Sequence, residues 1–171
     1  MRPGSLILGI DPGISITGYG FVADLGDRIT LVDYGAIVIP RKLSMPERLR
    51  KLYQELTAII EGQRPDEAAV EKLFLAKNVR AALTLGQARG VALLAAANYN
   101  IPVYEYTPLE IKQAIVGYGR APKRQVQLAL KMLLELDTVP EPEDAADAIA
   151  VALCHLSSRR MREITAEERL T

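Results

Sequence analysis

A continuous apolar run at residues 6–10 ends on a carboxylate, Asp11, and then breaks at Pro12 and Gly13. A strand that is covered on both faces is apolar throughout, so this run predicts a buried strand. An unpaired carboxylate is costly to bury there, so Asp11 needs a partner, and a metal ion is the natural candidate. Alternatively, Asp11 starts the turn and accepts bonds from backbone N–H groups two residues on. This segment alone favours neither interpretation.

The length and composition are those of one ordinary globular domain. The chain has 171 residues, 49% of them apolar, so we expect a single domain over residues 1–171 with a short charged tail from about residue 161. The 21 basic and 21 acidic residues balance, which argues against wholesale coating of nucleic acid but permits a local basic face. A single cysteine, Cys154, excludes an internal disulfide framework. Without a signal-like segment or an apolar stretch of membrane-spanning length, we expect a soluble cytoplasmic protein.

The hydrophobic pattern changes period along the chain. Three early strands are predicted at residues 5–10, 18–23 and 28–39, and their short connections indicate an antiparallel meander. Two more strands, at 68–70 and 101–106, alternate with predicted helices at 45–62, 78–98, 109–116, 123–136 and 143–160. The order of elements predicts an α/β fold, a mixed five-stranded sheet with helices on its faces.

Three further carboxylates stand beside apolar residues. Glu71 ends the short strand 68–70, much as Asp11 ends the first strand. Asp144 and Asp147 lie three apart on an otherwise apolar helix and therefore share one face; attraction to the helix dipole explains Asp144 but explains Asp147 poorly. Carboxylates with no neighbouring His or Cys favour Mg²⁺ or Mn²⁺, which would also relieve their mutual repulsion. Two such ions are the usual device for displacement at phosphorus.

A basic segment with a glycine-hinged turn lies between two predicted helices. Residues 111–134 carry no acidic side chain and five basic ones, with Tyr118 between two glycines. This combination suits a phosphate backbone near bases, although a solvated basic helix face is the commoner fate of such a run. The basic residues are Lys112, Arg120, Lys123, Arg124 and Lys131.

A second basic group, which includes Lys77 and Arg80, follows Glu71. Near its start, Phe74 is either a core residue or a ring that wedges between bases, and its apolar neighbours favour the core.

A stripe of small residues lies on the predicted helix 78–98. Ala82, Gly86 and Gly90 fall four apart, so one face carries almost no side chains and lets another backbone approach. Tight packing onto the sheet is the simpler explanation, and a helix-to-helix contact between subunits is the alternative.

Taken in order and with their spacing, the motifs resemble the RuvC family of Holliday-junction resolvases. The matching segments are GIDPG at 9–13, VE at 70–71, FLAKN at 74–78, LGQARG at 85–90, IKQ at 111–113 and DAADA at 144–148. The resemblance runs from residue 6 to about 158. It implies an RNase H-like fold and a homodimeric, Mg²⁺-dependent endodeoxyribonuclease. Such an enzyme resolves four-way junctions by paired symmetrical nicks in recombination and DNA repair, leaving 5′-phosphate ends.

The resemblance also implies roles for individual residues. Asp11, Glu71, Asp144 and Asp147 would be the catalytic ligands of two Mg²⁺ ions, for which Mn²⁺ could substitute. An extra acid, Glu143, precedes Asp144 and leaves the ligand set at that end open. The long helix after Glu71 would make the dimer contact, and the branch-migration proteins RuvA and RuvB would be partners.

On the DNA side, the resemblance makes Phe74 the wedge on junction bases and places Lys112 and Lys123 near the scissile phosphate. With the basic segments, the predicted DNA-binding set is Phe74, Lys77, Arg80, Lys112, Tyr118, Arg120, Lys123 and Arg124.

Three other functions fit parts of the pattern. The first motif, followed by Thr17, Gly18, Tyr19 and Gly20, also resembles the first phosphate loop of sugar-kinase and actin-like ATPases, but this chain lacks their second such loop and is about half their length. A junction-binding module that has lost nuclease activity is a second alternative, against which the intact set of acids speaks. A nuclease of the same fold that cuts RNA–DNA hybrids or flaps is the third.

Overall fold

The structure, a computed structural model, describes residues 4–72 and 78–168. These residues form β1 (Ser5–Asp11), β2 (Ile16–Asp24), β3 (Ile29–Val38), α1 (Met45–Gln63), β4 (Glu67–Glu71), α2 (Val79–Asn98), β5 (Val103–Tyr106), α3 (Pro108–Val116), α4 (Lys123–Leu133) and α5 (Glu143–Glu168). The strands make one sheet in the order β3-β2-β1-β4-β5. The first three strands are antiparallel, and β4 and β5 are added in parallel, which confirms the predicted mixed five-stranded sheet.

The central strand β1 is covered on both faces, as its unbroken apolar sequence predicts. Because successive strand residues point to opposite faces, Ile7 lies on one side of the sheet and Leu8 and Ile10 on the other. Ile7 packs in a core shared with α3, α4 and α5. Leu8 and Ile10 pack in a second core shared with α1 and α2. Helices therefore lie on both faces of the sheet.

Helix α5 rests directly on the backbone of β1 and β2. Gly9 and Gly20 face each other in register across these strands, and Gly18 lies opposite Asp11. A Cβ added to Gly9 would overlap the carbonyl oxygen of Ala148, and one added to Gly18 would overlap that of Asp144. The three glycines, which we call the glycine seat, let the helix axis approach the sheet more closely than any side chain would allow.

The C-terminal half of α5 is anchored by buried polar contacts. Tyr106 Oη lies 2.7 Å from Nδ1 of the fully buried His155, and Glu67 Oε2 lies 2.6 Å from Nε2. A carboxylate can only accept, so Nε2–H donates to Glu67 and the Tyr106 hydroxyl donates to Nδ1. Burial lowers the pKa of His155, consistent with a neutral ring. One turn further on, Arg160 Nη2 donates to Asp24 Oδ1 at 2.6 Å.

Two helix ends differ from the sequence-based prediction. The sequence predicts that helix α5 ends at residue 160, but the helix continues to Glu168, so the predicted charged tail is helical up to that residue. Residues 161–168 contain neither Gly nor Pro, and Arg159 reaches Glu163 one turn ahead at 4.0 Å. Helix α4 ends at Leu133 rather than residue 136, because Glu135 takes a left-handed conformation at φ 52°. Over residues 4–72 and 78–168, no helix is long and apolar enough to cross a membrane.

The glycine seat predicts that Gly18→Ala destabilises the protein by about 1–3 kcal/mol, since the new methyl group meets helix backbone that cannot rotate away. Urea denaturation measures the change. The matched control is Gly62→Ala within α1, where a Cβ meets nothing within 4 Å and alanine should stabilise by up to about 1 kcal/mol. Equal effects of the two substitutions would contradict a direct contact between α5 and the sheet.

Candidate active site

Two carboxylates lie at the same edge of the sheet because they end neighbouring parallel strands. Ile10 of β1 pairs with Val70 of β4, which puts Asp11 beside Glu71 at the strands' carboxyl ends. Both follow the alternation that points Ile7 toward α5, so both side chains belong to the α5 face.

The glycine seat brings the start of α5 to this edge. The Asp144 carbonyl lies against Gly18, which is the register partner of Asp11. Asp147 follows one turn later on the same face of the helix, and the helix around it is buried. All four predicted carboxylates are therefore brought together, two from strand ends and two from the first turns of α5.

Mutual repulsion and burial dominate the electrostatics of this cluster. Burial, together with the charges of Asp147, Glu71 and Asp144, raises the pKa of Asp11 to about 7. Burial and the Asp147 charge likewise raise the pKa of Glu71. Burial raises the pKa of Asp147 despite an opposing hydrogen bond from Lys123. The folded chain therefore holds these carboxylates where an added cation would be strongly favoured.

A lysine already supplies one positive charge. The ammonium of Lys123, the first residue of α4, donates to Asp147 Oδ2 at 2.8 Å and pairs with Glu143 Oε1 at 2.7 Å. Partial burial opposes the charged form, but the bonds to Asp147 and Glu143 raise the pKa of Lys123.

Beside these groups opens a cleft of about 230 Å³, which we call the carboxylate cleft. Its walls include Glu71, Asp147, Lys112, Lys123, Ile111 and Val126. Anionic and cationic groups thus share one concave site, which suits a metal ion together with a phosphate.

The turn after β1 is closed without the Asp11 side chain. The Gly13 amide donates to Thr17 Oγ1 at 3.1 Å, and Thr17 Oγ1 donates to the Gly13 carbonyl at 2.7 Å. Thr17 is fully buried. The alternative in which Asp11 accepts from this amide is therefore wrong. The sequence does not predict this contact of Thr17, which joins the turn to the strand that follows it.

The donor set fits a hard divalent cation, since it consists of carboxylate oxygens, and the pKa values of Asp11, Glu71 and Asp147 are raised. Within the described ranges, however, no three such side chains converge closely enough to surround an ion. The Asp147 oxygen is bonded to Lys123 instead. An ion that bound Oδ2 of Asp147 would displace this lysine.

The predicted DNA-binding residues fall into two groups. Lys112 and Lys123 line the carboxylate cleft. Outside it, the predicted basic residues Arg80, Arg120 and Arg124 are exposed, and Tyr118 is exposed with its hydroxyl bonded to Gln125 on α4. Phe74 and Lys77 lie outside the described residues.

The small-residue stripe of α2 does not pack onto the sheet. The buried residues of this helix are Ala88, Ala92, Ala95 and Ala96, whereas Gly90 is exposed and a Cβ there meets nothing within 4 Å. At 100° per residue, Gly90 lies opposite this alanine face, on the side of Val79, Leu83 and Leu94. These three apolar side chains are 71%, 67% and 53% exposed. Packing onto the sheet, the simpler explanation of the stripe, is therefore wrong.

Comparison with known proteins gives the same family from a family model and from individual relatives. Residues 7–155 match the family described as Crossover junction endodeoxyribonuclease RuvC. A protein of that name from Alkaliphilus oremlandii is 52% identical over 159 residues, covering 93% of this chain and 97% of the relative. One from Chloroflexus aggregans is 57% identical over 148 residues, covering 86% and 90%.

A solved structure, T. thermophilus RuvC in complex with Holliday junction substrate, matches with a TM-score of 0.83 and 32% identity, covering 92% of this chain and 96% of that one. This similarity and the strand order confirm the predicted RNase H-like fold.

The raised pKa of Asp11 predicts a pH-dependent stability in EDTA. The folded-state value of about 7 exceeds the 3.8 of an ordinary aspartate, so the stability linked to its proton is full below pH 4 and is lost as the pH rises through 7. Asp11→Asn, which cannot ionise, should therefore be more stable than the unsubstituted protein at pH 8, by on the order of 2 kcal/mol. In urea denaturation, the difference in free energy of unfolding between the two proteins should decrease toward pH 4.

The matched control is Asp137→Asn, which removes the same charge from an exposed loop residue outside the carboxylate cluster. Adding Mg²⁺ at pH 8 should stabilise the unsubstituted protein and not Asp11→Asn, because ligand binding stabilises the folded state. A constant gap for Asp11→Asn across this range would contradict the raised pKa.

Proposed function

Since the chain belongs to the Crossover junction endodeoxyribonuclease RuvC family, we propose that it is a metal-dependent endonuclease that resolves four-way DNA junctions. It cuts by paired symmetrical nicks and acts in homologous recombination and DNA repair. The observation that carries this proposal is the meeting of two strand-end carboxylates with two from α5 beside a lysine-lined cleft.

Asp11, Glu71, Asp144 and Asp147 are the proposed ligands of two Mg²⁺ ions, with Mn²⁺ able to substitute. Bound ions of this kind supply the positive charge that activates a water molecule and stabilises the leaving oxygen of the phosphodiester. The chain's own contribution is to hold four acidic side chains together at a cost in repulsion, which the raised pKa of Asp11 reflects. By family resemblance, the products carry 5′-phosphate and 3′-hydroxyl ends.

Lys112 and Lys123 are the proposed contacts of the scissile phosphate, because both border the carboxylate cleft. The exposed Arg80, Arg120 and Arg124 are suited to flanking phosphates, and the exposed ring of Tyr118 to a base. Lys77 as a phosphate contact and Phe74 as the junction wedge stay predictions from the sequence.

We propose that two copies of the chain associate through the exposed face of α2. Val79, Leu83 and Leu94 form an apolar strip, and the glycine between them at position 90 allows close approach of a second helix. A two-fold dimer suits a four-way junction, since it presents two active sites to two symmetry-related strands.

The remaining predictions about partners and location rest on the family. Association with the branch-migration proteins RuvA and RuvB is proposed on the family resemblance, and a DNA substrate supports action in the cytoplasm. Neither is needed for the cleavage chemistry.

Asp11→Asn should reduce single-turnover cleavage of a synthetic four-way junction by at least about 10³-fold, because the carboxylate is proposed to hold the ions. Junction binding should stay within about three-fold of the unsubstituted protein, since phosphate contacts and not Asp11 supply the affinity. Gel assays with Mg²⁺ measure the cleavage, and gel shifts without metal measure the binding.

The same assay compares the junction, a linear duplex and an RNA–DNA hybrid for the unsubstituted protein, with and without Mg²⁺. Paired symmetrical nicks in the junction alone are expected. Binding without nicking would favour the junction-binding module, and cleavage of the hybrid instead would favour the other nuclease class.

Leu83→Glu should convert the dimer to a monomer in sedimentation equilibrium, because it buries a charge in the proposed apolar contact. Nicks by this variant should no longer be paired within the lifetime of one complex. The control, Met132→Glu on α4, changes a side chain that is 79% exposed and should leave the dimer intact. A dimer that survives Leu83→Glu unchanged would place the subunit contact elsewhere.

A further inference from the structure

The Lys123 ammonium is shared between two carboxylates that face different surfaces. Asp147 borders the carboxylate cleft, together with Glu71 and Lys112. Glu143 instead borders a neighbouring groove, beside Arg124 and Pro142. Lys123 thus bridges from Asp147 at 2.8 Å to Glu143 at 2.7 Å.

We propose that Glu143 is a positioning residue, which tethers Lys123 at the mouth of the carboxylate cleft when Asp147 turns to a metal ion. This inference rests on the proposed nuclease function and deepens it. It also assigns Glu143, the extra acid before Asp144, a role other than that of metal ligand.

The need for a tether follows from the charges. A divalent ion on Asp147 removes one of the two anions that hold the ammonium and places a like charge beside it. Without Glu143, the flexible lysine would then be repelled into solvent. With Glu143, the ammonium keeps one carboxylate partner and stays beside the cleft, where a phosphate must approach.

The location of Lys123 supports a functional role for this contact. Lys123 is the first residue of α4, whose first turn contains no acidic residue. A cation there opposes the helix dipole, so local helix energetics do not explain it. The Lys123–Glu143 pair is also about half exposed on both sides, at 49% and 57%, so its contribution to folding is small.

A helix-dipole role for Glu143 is the competing explanation, because this acid stands in the first turn of α5. The two explanations differ in one respect. A dipole role is independent of Lys123, whereas a tether acts only through Lys123. A double-mutant cycle separates them.

The cycle comprises Glu143→Gln, Lys123→Met and the double variant, each in the full chain without DNA, with Mn²⁺ binding measured by calorimetry. Glu143→Gln should weaken Mn²⁺ binding about three- to ten-fold, since Lys123 is left with Asp147 alone and the ion must displace it with no carboxylate to receive it. In the Lys123→Met background, the same substitution should change the affinity less than about two-fold.

Glu141→Gln is the matched control. It removes the same charge from an exposed residue of the same groove and should behave alike in both backgrounds. Glu143→Asp, which keeps a carboxylate, should recover most of the lost affinity. At saturating Mg²⁺, Glu143→Gln should slow single-turnover junction cleavage about ten-fold while junction binding changes less than about two-fold.

If Glu143→Gln weakens Mn²⁺ binding equally with and without Lys123, the tether is wrong. Glu143 would then act through the helix dipole or as a metal ligand. No loss in the Lys123 background would overturn it as well. If the unsubstituted protein fails to nick junctions, the proposed nuclease function is wrong. The double-mutant cycle with Mn²⁺ still measures the coupling between Lys123 and Glu143 independently of that result.

Discussion

The direct contact between the α5 backbone and strands β1 and β2 is the constraint on which the rest of the site depends. At Gly9 and Gly18 a single methyl group would collide with helix carbonyls. Such a group would lift the helix away from the sheet and move Asp144 and Asp147 with it. Carboxylates that are proposed to share ions tolerate little displacement, because a misplacement of about 1 Å at a reacting centre is costly. The glycine seat therefore fixes the position of the proposed ligands on α5 as well as the packing of the helix.

The same helix is fixed at its far end to the strand that carries Glu71. On the α5 face of the five-residue strand β4, Glu67 stands at the start and Glu71 at the end. His155 binds Glu67 directly and also binds Tyr106, which is the register partner of Glu71 on β5. One helix thus contacts β1 and β2 near its start and β4 and β5 further along. Three carboxylate-bearing elements are held as one unit without loops between the carboxylates and the scaffold.

The sequence was most informative where a pattern is local. The apolar run before Asp11 and the strand ending at Glu71 follow from hydrophobicity alone, and the structure confirms both strands. The glycine seat could not be predicted in this way, since a glycine in a strand is equally compatible with a bulge or a turn. Only the pairing of Gly9 with Gly20 across β1 and β2 shows that these glycines form one surface beneath α5. The Lys123–Glu143 contact joins residues from two helices, so no periodic pattern in the sequence predicts it.

Errors at helix ends have a similar origin. Helix α4 ends because Glu135 is left-handed. Glutamate does not favour this conformation, so the residue type does not predict the end of the helix. The extension of α5 beyond residue 160 has the opposite cause. The charged segment predicts a tail, but ion pairs between Arg159, Arg160 and Asp24 hold the preceding turn on the sheet, and the following residues continue the helix.

The charge balance of the site explains how a chain can fold around four acids before any ion binds. Repulsion and burial disfavour ionised Asp11, which is the cost expressed in its raised pKa. Lys123 offsets part of this cost by bonding Asp147, so its ammonium group supplies positive charge to the carboxylates in the metal-free fold. A cation on a flexible stem can give way to a divalent ion, whereas a buried, rigidly held one could not. A lysine held between one acid of the cleft and one outside it therefore reconciles a stable fold with the proposed binding of metal.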